Sequence, residues 1–373
     1  MKKTAIVVGA GIVGLAICRA LHQAGFAVTL LEKSPAPQGA SIRNFGLFWP
    51  IGQQPGEGLE MAQRSRKIWL EMRDKAGFWL QETGSLHLAY SDLEAAVMQE
   101  YVHQAAPERS ANYIPPAAVR KKCSAVQVEG LQGALWSKEE MLMDPREAIC
   151  KLAAYLDSQE NITFFWNTAV SEISQHKVYA GKRFWEADLV LICTGSEYGT
   201  LFPDQAANFP LIKCKLQMMR TQPQPTSWQL PTPLAFGLSL VHYPTFQVAP
   251  SIHKLTAELA DHYPNFVKWG VHVMAAQNAA GEVTIGDTHQ YGKDLSPFDD
   301  MAINQEVFDF LLERLNIAIP KLHQTWHGIY AKPIDGSCYY FSEVQRGIWI
   351  LNGLGGAGMT LSFGLAEVWM GRL

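Results

Sequence analysis

LNGLGGAGMTLSFGLAEV, Leu351 to Val368, closes the chain on an apolar run, a cluster of glycines and a helix-forming stretch. The chain opens on the same plan, with AIVVGAGIVGLAI from Ala5 to Ile17. Each stretch runs from a strand into a helix N-terminus, where backbone N–H groups lack partners and a partial positive charge collects. Two such turns at opposite ends of one chain pose the question from which the fold follows.

The first turn has a full context. Ala5 to Val8 reads as a buried parallel strand. In Gly9-x-Gly11-x-x-Gly14, Gly9 permits the tight turn, Gly11 lets the backbone approach a pyrophosphate, and Gly14 lets the helix pack on the strand. The helix N-terminus, at Ile12 and Val13, faces the anion. A second strand, Ala27 to Leu31, ends on Glu32, which can accept hydrogen bonds from both ribose hydroxyls of an adenosine half, with Lys33 beside it. Strand, glycines, helix, strand and terminal acid in register make a dinucleotide fingerprint.

That fingerprint does not separate NAD from FAD; the rest of the chain does. Glu186 to Gly195 is an apolar strand ending on Thr194-Gly195, which resembles the strand-end turn that FAD-binding Rossmann proteins place close to the dinucleotide. Asp144-Pro145 starts an amphipathic helix and Ile162 to Trp166 is a strand; in the proteins so resembled, the backbone at the Val170 position meets adenine. At the far end, Ile348 to Leu351 is a strand, Gly355-Gly356-Ala357-Gly358 a turn, and Met359 and Thr360 begin a helix. With a pyrophosphate at the first turn, this second helix end serves another electron-rich group. The N1–C2=O edge of a flavin qualifies, because it gains negative charge on reduction. The two turns are therefore expected to hold opposite ends of one FAD.

Composition narrows the partners. At 373 residues, two domains are expected. A net charge of −4 gives no broad cationic field, which argues against nucleic acid. The six cysteines show no CxxC pair and no metal spacing, and Cys18, Cys150 and Cys193 fall in apolar runs, where buried reduced thiols are expected. A reducing, cytoplasmic setting follows. Residues 4–18 are interrupted by the glycine fingerprint and 347–366 carry six glycines, so neither reads as a membrane segment.

The order GAGIVG, Glu32, the Asp-Pro helix, TAV, CTG, the Asp335-Gly336 turn and GLGGAGMT resembles the glycine oxidase, sarcosine oxidase and D-amino-acid oxidase superfamily along nearly the whole chain. ASIRNFGLFWPIGQ (Ala40 to Gln53), GSLHLAY, VHVMAAQ and IGDTHQYG resemble a narrower subgroup associated with aminophosphonate breakdown. The resemblance implies an α/β fold, α+β overall: a Rossmann-type, glutathione-reductase-like FAD domain with a mixed-sheet substrate domain. It implies a discontinuous FAD domain of residues 1–50, 145–210 and 325–373, and a substrate domain of 51–144 and 211–324. Ser41, Arg43 and Asn44 join the implied cofactor contacts. The implied chemistry is oxidation of a small amine, with hydride transfer to flavin N5, imine hydrolysis, and dioxygen or another acceptor taking the electrons.

The chain also departs from that pattern. Tyr330 stands where amino-acid oxidases carry a carboxylate-clamping arginine, and Gly328 where sarcosine oxidases carry the cysteine bonded to flavin, so non-covalent FAD is expected. Arg43, Lys332 and Lys293 are candidate cations for a phosphonate, though Arg43 also suits the cofactor and the lysines also suit a solvated surface. His289 is placed to face the flavin or to serve structure; His87 reads as substrate-facing or as core; Trp49 and Tyr330 suit an aromatic wall or core. Histidine spacing proposes no metal. Two other functions stay open. Ile285 to His289 mimics the GDxxH turn of NADPH-dependent flavin hydroxylases, although the glycine turn comes far later, and a non-catalytic or RNA-modifying flavoprotein shares the superfamily.

Overall fold

In the computed structural model, which describes residues 2–105 and 109–372, the strand Thr4–Val8 is buried along four of its five residues. It pairs in parallel with Ala27–Leu31 on one side and Leu189–Ile192 on the other. Strand Ile162–Phe165 extends the sheet beyond Ala27–Leu31, and Ile348–Asn352 extends it beyond Leu189–Ile192, both in parallel. Tyr340–Gln345 closes that edge antiparallel, giving six strands. Buried on both faces, these strands are continuous apolar runs rather than alternating ones.

One face is covered by the helices Ile12–Gln23, Pro145–Asp157 and Gly358–Met370, with Glu57–Ala76 packed outside, through Leu15, Trp69, Ile149, Leu152 and Phe363. The other face packs on a three-stranded antiparallel meander over residues 172–186, through Ile6, Val8, Val178 and Val190. This is the mixed α/β arrangement expected from the sequence.

A second sheet of nine strands lies beside it. Its spine is the antiparallel pair Leu211–Thr221 and Leu322–Pro333, in register from Leu211↔Pro333 to Cys214↔Tyr330 and onward. Val283–Gly286 and Gln290–Gly292 pair on the other side of Leu211–Thr221. Leu234–Ala235 runs parallel to Ser85–Ala89, so the sheet is mixed. Helices Asp92–Ala105, Ile252–His262 and Met301–Leu312 bury Met98, Leu255 and Leu311 against it. The expected boundary at 325 falls inside the strand Leu322–Pro333, which hydrogen-bonds along its length in this second sheet.

The helix Glu57–Ala76 stops where Gly77 takes a left-handed φ of 70°. The helix Met301–Leu312 begins where the Asp300 carboxylate accepts from the Ala302 N–H at 2.9 Å. Cys150 is exposed, since it lies on the outer face of its helix; Cys18 and Cys193 are buried, and all six cysteines are free thiols. The loop after Thr221 is pinned by Gln224, which donates to Ile319 O at 3.0 Å. Among the described residues no helix is long and apolar enough to cross a membrane.

The last helix lies so close to Glu57–Ala76 that a Cβ on Gly364 would stand 2.0 Å from the Met61 carbonyl oxygen. Gly364→Ala must force the two helices apart, at a cost of about 1–3 kcal/mol or more. Thermal unfolding should show a fall in Tm of several degrees; an unchanged Tm would contradict the packing.

Candidate active site

Three neighbouring parallel strands, Thr4–Val8, Leu189–Ile192 and Ile348–Asn352, end on the same edge of the first sheet. Each is followed by a turn that the sequence marks: Gly9 to Gly14, Thr194-Gly195, and Gly355 to Gly358. Gly9 has φ of 106°, and a Cβ there would lie 2.6 Å from the Cys193 carbonyl oxygen. A Cβ on Gly14 would lie 1.9 Å from Gly9 O, so both positions accept only glycine. A Cβ on Gly358 would meet the Ile12 side chain at 3.6 Å. The first and last helices therefore bring their N-termini together, although their sequences stand at opposite ends of the chain.

The N-cap residue of neither helix, Gly11 or Ala357, caps it with a side chain. Ile12 N–H donates to Ser41 Oγ at 2.9 Å, which leaves the Ser41 hydroxyl its own proton to give. Glu32 is held rigidly: Oε2 accepts from Ala10 N–H and Oε1 from Ser34 N–H, each at 2.9 Å, and each oxygen keeps a further lone pair. Thr168 N–H donates to Glu32 O at 2.8 Å, which draws the segment leading to Val170 beside the acid. Lys33 pairs with Glu197. Asn44 builds its own turn, donating to Ala40 O and Ser41 O, and Arg43 is exposed with its guanidinium donating to His327 O at 3.4 Å. The uncapped helix ends, the carboxylate with spare lone pairs and the narrow glycine turns fit a dinucleotide with a second electron-rich end.

Asn352 was missed by sequence reading. Buried behind the last turn, its Nδ2 donates to Gly195 O at 2.7 Å and its Oδ1 accepts from Gly353 N–H at 2.8 Å. One side chain thus fixes two of the three turns. Trp49 N–H donates to Thr360 Oγ1 at 2.9 Å, and Trp69 Nε1 to Met359 O at 2.7 Å, which seat the last helix from the other side.

The second sheet meets the last turn through Leu322–Pro333. The side chain nearest a Cβ on Gly356 is Tyr330, its hydroxyl at 3.5 Å, and that nearest a Cβ on Gly355 is Lys332, its Cγ at 3.5 Å. Tyr330, Cys214 and Tyr291 stand in a row across three adjacent strands. Burial, with the neighbouring Cys214, Tyr291 and Asp287, pushes the Tyr330 phenol well above its ordinary range, so it remains a neutral donor. Lys332 Nζ lies 5.6 Å from the Tyr291 ring centroid. Lys293, the third candidate cation, is exposed.

Beyond Lys332 the structure gathers three histidines that no sequence motif connects: His242, His272 and His289, with one ring nitrogen of each within 4.8 Å of the others. Desolvation drives His289 down to about 4. Asp287 is buried beside them, His272 Nε2 standing 3.1 Å from its Oδ1, and burial pushes its carboxyl well above the usual range. His87 is fully buried between Trp49 and Phe246, at 5.4 and 5.5 Å between ring centroids, and burial lowers it to about 3. Trp49 is buried too, so of the expected aromatic pair only Tyr330 is part-exposed beside the turn.

A family model described as FAD dependent oxidoreductase (DAO) matches residues 4–370. Among solved structures, glycine oxidase from Geobacillus kaustophilus is similar with a TM-score of 0.75 at 18% identity, covering 99% of this chain and 93% of that one. L-proline dehydrogenase from P. horikoshii is similar at 0.74 and 18%, covering 98% and 91%. These likenesses show the shared fold. In sequence, the tRNA 5-methylaminomethyl-2-thiouridine biosynthesis bifunctional protein MnmC of Methylobacillus flagellatus is 27% identical over 232 residues, 58% of this chain and 34% of that protein. The matches span about a third or less of the curated relatives' own length. Matched by the family model along nearly its whole length, the chain belongs to the FAD dependent oxidoreductase family and takes FAD as its cofactor.

Proposed function

We propose that the chain oxidises a carbon–nitrogen bond in a small primary or N-methyl amine with an acidic tail, of the amino acid or 2-aminoethylphosphonate type. Bound FAD supplies the two-electron acceptor, at flavin N5. Gly9, Gly11, Ile12, Val13, Gly14 and Ser41 would hold the pyrophosphate, Glu32 the ribose, and the backbone at Val170 the adenine. Lys33, Arg43, Asn44, Thr194 and Gly195 would border the cofactor. Gly355, Gly356, Gly358, Met359 and Thr360 would face the flavin.

The observation that carries the reading is the position of Tyr330 and Lys332. They reach from the second sheet to the glycine turn proposed for the flavin, and so can orient a substrate against it. The amine carbon gives up a hydride equivalent and the nitrogen a proton, leaving an imine. Water hydrolyses the imine to a carbonyl and ammonia, or an amine where the nitrogen is methylated, and the electrons pass on to dioxygen or another acceptor. The amine must be neutral to react, and deprotonating an alkyl ammonium with a pKa of about 10 costs roughly 4 kcal/mol at pH 7. Lys332 and the buried histidines supply a cationic neighbour and a desolvated wall, both of which favour the neutral amine.

A second reading, action on a modified base of tRNA, draws on the partial matches to the tRNA biosynthesis proteins. The net charge of −4 weighs against it.

Anaerobic titration of the holoenzyme should bleach the flavin band with small amines, phosphonate-tailed ones most readily. Bleaching by no amine would reject amine oxidation, and bleaching only by glycine or sarcosine would reject the phosphonate tail. Tyr330→Phe should retain FAD but slow the bleaching about tenfold, the loss of one hydrogen bond of about 1.4 kcal/mol. Acid precipitation should release the flavin, because Gly328 offers no side chain to bond it; flavin remaining in the pellet would contradict non-covalent binding.

A further inference from the structure

His242 ends the helix Gly237–His242, His272 precedes the strand Met274–Gln277, and His289 precedes Gln290–Gly292. Their ring centroids are 3.8, 4.3 and 4.9 Å apart. His272 and His289 are buried; His242 is half-buried, and exposed Lys332 and Tyr291 lie at this open edge. His289 Nδ1 stands 3.0 Å from Gly270 O and so carries the proton, which leaves Nε2 as a free lone pair. His272 is already engaged, with Nδ1 3.3 Å from Ser239 Oγ and Nε2 beside Asp287.

Imidazoles this close cannot all be charged, since each cation raises the cost of the next. Burial first, then His272, His289 and Lys332, hold His242 well below its ordinary range. Burial, then His289 and His87, do the same for His272. Burial pushes up the Asp287 carboxyl and the Tyr243 and Tyr291 phenols, which favours their neutral forms. The result is a set of neutral bases beside one cation, open at one edge. A metal suits it poorly. Both ring nitrogens of His272 are already engaged, by Ser239 and Asp287, and Nδ1 of His289 by Gly270. Lys332 would also repel a metal cation.

We infer that His242, His289 and Lys332 form a binding subsite for an oxyanion, and that a proton enters the cluster when a dianionic, tetrahedral group binds. Naming that group as the acidic tail of the substrate rests on the amine-oxidation reading; the subsite itself does not. A dianion can meet Lys332 and one imidazolium together, whereas a carboxylate carries charge for only one of them. The sign of the pH dependence follows. His289 in the free protein titrates near 4, and an adjacent dianion raises that value. Between the two values the free imidazole is neutral and the bound one protonated, so binding weakens by up to about tenfold for each pH unit upward.

Sulfate is the probe of choice, because it stays a dianion throughout and has no proton of its own to give. Calorimetry on the holoenzyme, in two buffers of different ionisation heat, should count about one proton taken up per sulfate bound. The Kd should rise with pH, by up to about tenfold per unit, from above about pH 4 to the raised value of the bound imidazole and level off beyond it, and acetate should bind at least about tenfold more weakly. His242→Gln and His289→Gln, with flavin spectra retained, should each reduce the proton count; Lys332→Met should weaken sulfate and leave it. No sulfate binding, no proton uptake, a Kd independent of pH, or stoichiometric zinc binding that excludes sulfate would each overturn the subsite. If either variant fails to fold, the proton count of the unaltered holoenzyme decides alone. Since sulfate is not oxidised, the result stands whether or not any amine reduces the flavin.

Discussion

The arrangement depends on two helix N-termini being held side by side at one sheet edge. The strands Thr4–Val8 and Ile348–Asn352 flank Leu189–Ile192, and the helices that follow the outer two touch through Ile12 and Gly358. Two helix N-termini at close range, neither capped by its own N-cap residue, repel through their partial positive charges. The rest of the first domain compensates: Asn352 ties the turns at Gly195 and Gly353, and Trp49 and Trp69 hold Thr360 and Met359. An electron-rich ligand spanning both ends would relieve that repulsion, and FAD offers its pyrophosphate to one and the N1–C2=O edge of its flavin to the other.

The second sheet solves a different problem. Its spine carries Tyr330 and Lys332 to the last turn, while the elements beyond pack His272, His289 and Asp287 out of water. In that setting burial keeps most ionisable groups neutral. Exposed Lys332 is the standing cation beside them. A neutral amine and an acidic tail have opposite needs, and the two sides of this region meet them separately.

Much of this was legible in the chain. Gly9, Gly14, Glu32 and the closing glycines signal through local spacing, because a turn that needs glycine and a strand that ends on an acid are short-range requirements. Tyr330 was found by its place in a motif. The histidine cluster was not legible: His272 and His289 flank the paired strands Met274–Gln277 and Val283–Gly286, His242 reaches them from the end of the helix Gly237–His242, and no spacing rule links a helix end to a hairpin. Asn352 was hidden in an apolar strand whose glycines drew attention. Cys150 was misread because an apolar neighbourhood in sequence does not say which face of the helix a residue occupies. The boundary expected at 325 lies within a strand, Leu322–Pro333, that carries no break in composition.

The most direct test of the two-turn arrangement is the affinity of apo-protein for FAD and for riboflavin, measured side by side by flavin fluorescence. Riboflavin keeps the flavin for the last turn but lacks the pyrophosphate for the first turn and the adenosine half that Glu32 and the Val170 backbone would hold. If one FAD bridges the turns, it should bind at least about a hundredfold tighter than riboflavin, roughly 2.7 kcal/mol, and Glu32→Ala should shrink that gap. Equal affinities for the two, unchanged by Glu32→Ala, would contradict the bridge and leave the two glycine turns without a common ligand.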